Sequence, residues 1–244
     1  MSRHWSVVAG LITLAAGPLA AGAQSENAVG GWAALLSTPA GAFAPTLDPA
    51  VPASPATRIG GRLRASHWQF AADDDNTTNY GGALVLHRGR VRAAVEVGLT
   101  TKKDCNDCDV TMGGVDLRVP VLTRTTAGGG RVELALAPAL GFGNGNDANA
   151  LALALEMPVS WAIPVGDALR LTPFVAPGVG GGRISPNGED GEPYSGTRAM
   201  IAGGLALQGT RVPFALTIGA RHIFIDLEGT KTPTIYGVGF TLSR

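Results

Sequence analysis

The sequence predicts an all-β fold, a transmembrane antiparallel up-and-down β-barrel of about ten strands, with eight or twelve as the alternative counts. Three observations carry this. Apolar residues alternate with small or polar ones in ten segments after residue 57. The connections between those segments alternate between long and tight. After residue 23 no apolar run approaches the roughly 18 residues a membrane helix needs, so any crossing falls to strands.

Residues 1–23 read as a secretory signal peptide. Arg3 and His4 form a basic start, Val7 to Ala21 an apolar stretch, and Ala21-Gly22-Ala23 a small-residue cleavage site before Gln24. Residues 24–56 are rich in Pro and Ala, with Thr38-Pro39, Ala44-Pro45, Asp48-Pro49, Val51-Pro52 and Ser54-Pro55. Repeated X-Pro disfavours both helix and ladder, so this part reads as an extended N-terminal periplasmic segment. Trp32 to Leu36 could form a short helix or strand within it.

The barrel reads as residues 57–244. Its segments are 57–70, 79–88, 91–101, 109–123, 131–143, 150–163, 168–182, 196–208, 212–225 and 232–243. The sixth is the clearest: Leu151, Leu153, Leu155, Met157, Val159, Trp161 and Ile163 alternate with Ala152, Ala154, Glu156, Pro158, Ser160 and Ala162. Strand side chains point to alternate faces, so one face is wholly apolar. Val91 to Leu99, Val132 to Phe142 and Thr234 to Leu242 repeat the pattern. Gly178 to Gly182 lies inside a strand pattern and reads as a bulge or kink.

The connections 71–78, 102–108, 144–149, 183–195 and 226–231 are polar, and those at 88–90, 124–130, 164–167 and 209–211 are tighter. Long and short ends on opposite rims are the pattern of hairpins closing into a barrel. Trp68, Phe70, Tyr80, Phe142 and Phe224 fall at the long-loop ends, and Trp161, Phe214 and Phe240 near the short turns. Two such aromatic belts suit two membrane interfaces. A soluble β-sandwich hiding its apolar face in a core is the competing reading.

On the apolar alternation, the loop asymmetry, the signal segment and the aromatic placement, about three quarters of the chain resembles the bacterial outer-membrane β-barrel proteins. The resemblance implies a chain exported across the inner membrane and placed in the outer membrane of a diderm bacterium. It implies outer-membrane lipid, lipopolysaccharide and the barrel assembly machinery as partners, and a monomer. The family's last strand usually ends on an aromatic residue. Here Tyr236, Val238, Phe240 and Leu242 alternate correctly, but Ser243 and Arg244 follow.

If the apolar set faces lipid, the other set faces the lumen. It contains Arg62, Arg64, Arg92, Glu96, Asp116, Arg118, Glu133, Glu156, Arg170, Arg198 and Arg221. Opposite charges in one small cavity pair, because an unpaired buried charge costs several kcal/mol. Ten strands enclose little more than the eight whose inward side chains just fill a barrel, so a plugged, salt-bridged interior is expected.

The long loops carry Asp73, Asp74, Asp75, Asp104, Asp107, Asp109, Asp147, Glu189, Asp190, Glu192, Asp226 and Glu228. Such a rim could attract divalent cations through oxygen ligands, although Asp73-Asp74-Asp75 lacks the spacing of a calcium loop. Cys105 and Cys108 read as a local disulfide in an oxidising compartment. A metal site with Asp104, Asp107 and Asp109 is the alternative, but no second Cys pair or nearby His completes a zinc set, and no metal is assigned.

Lysine plus arginine and aspartate plus glutamate number 19 each, so no basic face marks a nucleic-acid partner. The 35 Gly show no collagen period, and 45% hydrophobic residues oppose wholesale disorder. No cofactor motif occurs and no catalytic residues are assigned. An omptin-like hydrolase would draw on Asp74 and His222, but Asp-x-His is absent and His222 precedes Asp226 by four residues. A lipid A-modifying enzyme would want a Ser partner for His67, and none is evident. Three functions therefore stand: a structural or surface-interaction barrel with a filled lumen, a narrow channel for small solutes that could include anions, and a rim hydrolase.

Overall fold

The computed structural model describes residues 33–48, 54–69, 76–102, 109–187, 192–224 and 233–244. The signal segment 1–23 lies outside the described residues. The wall consists of β1 (Ser54–Gln69), β2 (Asn76–Gly89), β3 (Val91–Lys102), β4 (Val110–Thr125), β5 (Arg131–Asn144), β6 (Ala148–Glu156), β7 (Val159–Val165), β8 (Leu169–Pro186), β9 (Tyr194–Gly209), β10 (Phe214–Ile223) and β11 (Thr234–Ser243). Each strand pairs antiparallel with its neighbours around the wall, and β1 pairs with β11 from Gly60↔Ser243 to Gln69↔Thr234. That seam closes the barrel, so no edge remains unpaired.

β6 and β7 are two halves of one wall strand, both paired to β5 and β8. The wall is therefore ten strands around. Pro158 cannot donate to a ladder, and the break between the halves falls at Met157 and Pro158. The local bonds are Ala135 N–H to the Pro158 carbonyl at 3.0 Å and Met157 N–H to the Pro177 carbonyl at 2.9 Å. The seven alternate residues from Leu151 to Ile163 keep their outward parity across the gap.

The large apolar side chains of the wall point outward. Leu63, Val97 and Leu153 are 67%, 66% and 63% exposed, and Val95, Ile218 and Val238 share that face. An apolar girdle of this kind has its natural solvent in lipid hydrocarbon. The sandwich reading would have buried these residues in a core. Tyr80, Phe142 and Phe224 at one rim and Trp161 and Phe240 at the other are exposed as the belts require. Trp68 is a correction: it is buried, because it shares inward parity with Arg62, Arg64 and Ser66. Phe70 lies outside the described residues.

The short connections include tight turns at Gly89 and Gly166, whose φ values of 62° and 65° a side chain would strain. The 144–149 connection, expected to be long, is also tight: Gly145 N–H bonds the Ala148 carbonyl at 3.0 Å. The other long connections lie wholly or partly outside the described residues.

The main departure from the sequence reading is the N-terminal segment. Residues 33–48 do not lie beneath the barrel as a linker. They run inside it. Residues 33–36 are helical and α1 (Pro39–Ala42) forms one further turn. Ala34, Leu35, Leu36, Ala42, Phe43, Ala44 and Leu47 are all buried by the wall. Proline at the first helical position has no N–H to strand, so the X-Pro steps shape the segment without exposing donors.

Candidate functional site

The lumen is the candidate site, built from three charged assemblies and one threaded segment. The largest assembly is a chain of alternating sign. Arg64 Nε donates to Glu96 Oε1 at 2.8 Å, and its Nη2 bonds Glu96 Oε2. Glu96 Oε2 also takes Arg62 Nη2 at 3.4 Å, and Arg62 Nη2 reaches Asp116 Oδ2 at 2.6 Å. Asp116 pairs in turn with Arg92, and Arg92 Nη1 pairs with Asp48 Oδ2 at 2.7 Å. The last carboxylate of this relay thus comes from the threaded segment.

Register explains why these groups meet. Ala94 and Asp116, Arg92 and Arg118, and Ala83 and Glu96 are cross-strand partners, so inward residues of β1 to β4 stack into neighbouring layers. The second assembly joins Arg118 and Arg131 to Glu133 at 3.1 and 2.7 Å. The third crosses to the opposite wall, where Arg221 Nη2 meets Glu156 Oε1 at 2.7 Å. Bidentate guanidinium geometry makes arginine the suitable cation here.

The expected lumen set is thus mostly brought together. Arg62, Arg64, Arg92, Glu96, Asp116, Arg118, Glu133, Glu156 and Arg221 all enter ion pairs. Arg198 donates to the Thr197 carbonyl at 2.9 Å. Arg170 stands opposite Gln208 near the short turns, and among the described residues no carboxylate pairs with it. Asp48 and Arg131 were missing from that set. Arg131 opens the fifth segment but was not counted among its inward residues, and Asp48 was assigned to the N-terminal linker.

Polar residues of the wall grip the segment's backbone. Arg221 Nη1 is shared among the carbonyls of Ala40, Gly41 and Phe43 at 3.2, 3.0 and 2.6 Å. Ser66 Oγ and Asn79 Nδ2 donate to the Ala42 carbonyl at 2.6 and 3.0 Å. Leu47 N–H donates to Thr217 Oγ1 at 3.3 Å, and Gln208 Nε2 donates to the Asp48 carbonyl at 2.8 Å. The Arg64 guanidinium stacks over Phe43 at 4.5 Å from the ring centre.

Glycine supplies the room. A Cβ at Gly81 would lie 2.6 Å from Phe43, and one at Gly141 2.7 Å from Thr38. A Cβ at Gly143 would strike the Ser37 carbonyl, and one at Gly239 would strike Thr46. The inward glycines of β2, β5 and β11 are therefore a bed for the segment. Inward positions carrying no side chain were the sequence signal that something other than wall side chains fills the lumen.

Of the enzyme candidates, the two histidines lie among the described residues. His67 Nδ1 shares a hydrogen bond with Thr78 Oγ1 at 3.3 Å on the exposed face. His222 Nδ1 shares one with Thr234 Oγ1 at 2.9 Å. Asp73, Asp74, Asp75 and Asp226 lie outside the described residues. So do Cys105 and Cys108, with the expected disulfide, and most of the acidic loop residues. Among the described residues no cluster of His, Cys, Asp or Glu could hold a metal.

No protein-family model matches the sequence, and no curated protein does. Solved structures of similar shape include the outer membrane enzyme PagL, at 12% identity and TM-score 0.38, covering 74% of this chain and 98% of that one. The N-terminal β-barrel domain of Pseudomonas aeruginosa OprF aligns at 17% identity and TM-score 0.32, over 77% and 100% of the two chains. The attachment invasion locus protein Ail of Yersinia pestis aligns at 12% and 0.32, over 77% and 97%. With its closed wall, apolar exterior and ionised interior, the chain has the fold of a bacterial outer-membrane β-barrel protein.

Proposed function

We propose that this protein is an outer-membrane barrel of structural or surface-interaction type, closed by its own N-terminal segment and working through its exterior loops. One observation carries the reading: residues 33–48 occupy the lumen and are hydrogen-bonded to the wall on several sides, through Arg221, Ser66, Asn79, Thr217 and Gln208. A pore through which solute flows needs a continuous water path, and the reading is supported by Leu35, Leu36, Phe43 and Leu47, buried apolar side chains that the segment places in the lumen. The reading assigns no cofactor and no catalytic role. Its partners are outer-membrane lipid and lipopolysaccharide around the girdle, the assembly machinery during insertion, and divalent cations at the acidic loops.

Conductance across a planar bilayer tests the reading. The purified, heat-modifiable protein should give no stable openings at any salt concentration. Steady openings in the intact chain would replace this reading with the channel.

The narrow anion channel remains the second reading because of one cavity. At the short-turn mouth Arg90, Arg92, Arg118 and Arg131 line a space of about 170 Å³ beside Asp48 and Glu133. Cations outnumber acids there, so an anion entering from that rim would be drawn to it.

A further inference from the structure

The charges of the lumen do not balance evenly along its length. The relay from Arg64 to Asp48 holds three cations and three carboxylates, and Arg221 with Glu156 holds one of each. The second assembly differs. Glu133 turns one oxygen to Arg118 and the other to Arg131, so one carboxylate faces two guanidiniums. Arg90 adds a further cation in the same short-turn cavity of about 170 Å³. Residues 49–56, which join the segment to the wall at that rim, contain no ionisable side chain. Among the described residues the cavity therefore carries a surplus of two positive charges.

Register sharpens the imbalance. Arg92 and Arg118 stand directly opposite each other on β3 and β4, and like charges so placed repel. Their side chains are 9% and 13% exposed, that of Arg131 is 35% exposed, and Arg90 lies in the open turn. Cationic groups thus lead from the mouth inward. Arg92 Nε is buried and has no hydrogen-bond partner among the described residues. Ser160, across from Glu133, adds a hydroxyl to the lining. The inner end is formed by Leu47 and Asp48, an apolar side chain and a negative charge. An anion drawn in from this rim halts against them instead of passing on.

We propose that this cavity is a binding site for one small dianionic oxyanion of the phosphate type, taken from the compartment that the short turns face. Two negative charges answer the surplus of two. Guanidinium forks offer parallel N–H groups to a pair of oxygens, which suits such an anion. The space is smaller than the roughly 300 Å³ at which sites for drug-sized molecules begin, so it takes a free ion or the terminal phosphate of a small ester. The wall separates it from the lipid-facing side chains, so a membrane headgroup is not its source. The site rests on the closed-lumen reading at its inner end alone, where Leu47 and Asp48 belong to the segment.

Equilibrium dialysis against radiolabelled inorganic phosphate tests it. The full, heat-modifiable chain is held in a phosphate-free detergent at pH 7 and about 0.1 M NaCl, where charges more than about 10 Å apart are screened. Saturable binding of a single phosphate per barrel is expected. Arg131→Gln and Arg90→Gln should each weaken it about tenfold, the loss of a charge-assisted hydrogen bond. Arg88→Gln removes the same charge from beside the same turn without touching the lining, and should weaken it less than about twofold. Heat-modifiability reports folding of each variant, and Arg90, on an exposed turn, decides the matter if Arg131→Gln does not fold. Competition by glycerol 3-phosphate assigns the site to a terminal phosphate group, and competition by inorganic phosphate alone to the free ion. Absence of saturable binding, unchanged binding in a folded lining variant, or an equal loss in Arg88→Gln overturns the proposal. A non-conducting barrel that binds no phosphate removes this site alone, whereas steady openings remove the closed-lumen reading whatever the phosphate result.

Discussion

Arg221 and Glu156 meet at 2.7 Å across the lumen, while the other nitrogen of the same guanidinium holds three carbonyls of the threaded segment. One side chain therefore ties the wall strand β6 to the filling. Removing one partner of a buried pair costs roughly 3–5 kcal/mol, because the survivor is left uncompensated. Arg221→Met should loosen the segment and strand the Glu156 charge. The expected result is intermittent conductance in planar bilayers and a lower temperature of conversion to the slow-migrating form on gels. Arg221→Lys should recover the pair with Glu156 but not the three carbonyls, since an ammonium is a single point charge.

The glycine bed predicts a second route to the same opening. Gly141→Val places a methyl group where Thr38 lies, and Gly239→Leu does so at Thr46. Both should expel or displace the segment and raise conductance while the barrel still shifts on heating. Gly61→Val is the control, since nothing lies within 4 Å of its added carbon. Equal conductance in all three chains would mean that the segment does not seal the lumen.

The relay from Arg64 to Asp48 predicts strong coupling between charges. Glu96→Gln leaves Arg64 without its carboxylate and Arg62 with Asp116 alone. A loss of about 3–5 kcal/mol is expected in urea unfolding from lipid vesicles. The double change Glu96→Met/Arg64→Met should lose much less than Glu96→Gln alone, because no buried charge is stranded. A double mutant as unstable as the sum of the singles would show the pair to be uncoupled.

The outer face makes the opposite kind of prediction. Leu153 pairs with Leu140 in mid-wall and faces outward. Leu153→Arg should cost about 2–4 kcal/mol when the protein folds into phospholipid vesicles. On a surface facing water the same exposed position would accept arginine within about 0.5 kcal/mol. Vesicle refolding and urea midpoints separate these outcomes.

The wall was legible because a strand reports its two faces every second residue, and lipid on one side sharpens the contrast. The β6–β7 gap was not, since Met157 and Pro158 preserve the parity of their neighbours. Trp68 was misplaced because belt residues were chosen by distance from a loop, and its parity with Arg64 was overlooked. The threaded segment was hidden for a different reason. Its wall contacts are largely its own carbonyls, gripped by Arg221, Ser66 and Asn79, and backbone carbonyls leave no mark in a sequence. An excess of lumenal arginines over acids was the visible half of that arrangement. Asp48 supplied one missing carboxylate, and three carbonyls of the segment meet Arg221.

The seam between β1 and β11 brings the ends of the wall together, with Arg244 N–H on the Ile59 carbonyl at 3.0 Å. The wall is thus a complete ring without the residues that fill it, and the filling is attached to it covalently at one point, ahead of Ser54. Ring and filling are separable as receptor and ligand. A chain beginning near Ser54 would be an empty cylinder with a vacant peptide-shaped groove. A synthetic peptide spanning 33–48 would be its ligand, so the closure of this barrel becomes a bimolecular affinity that can be titrated.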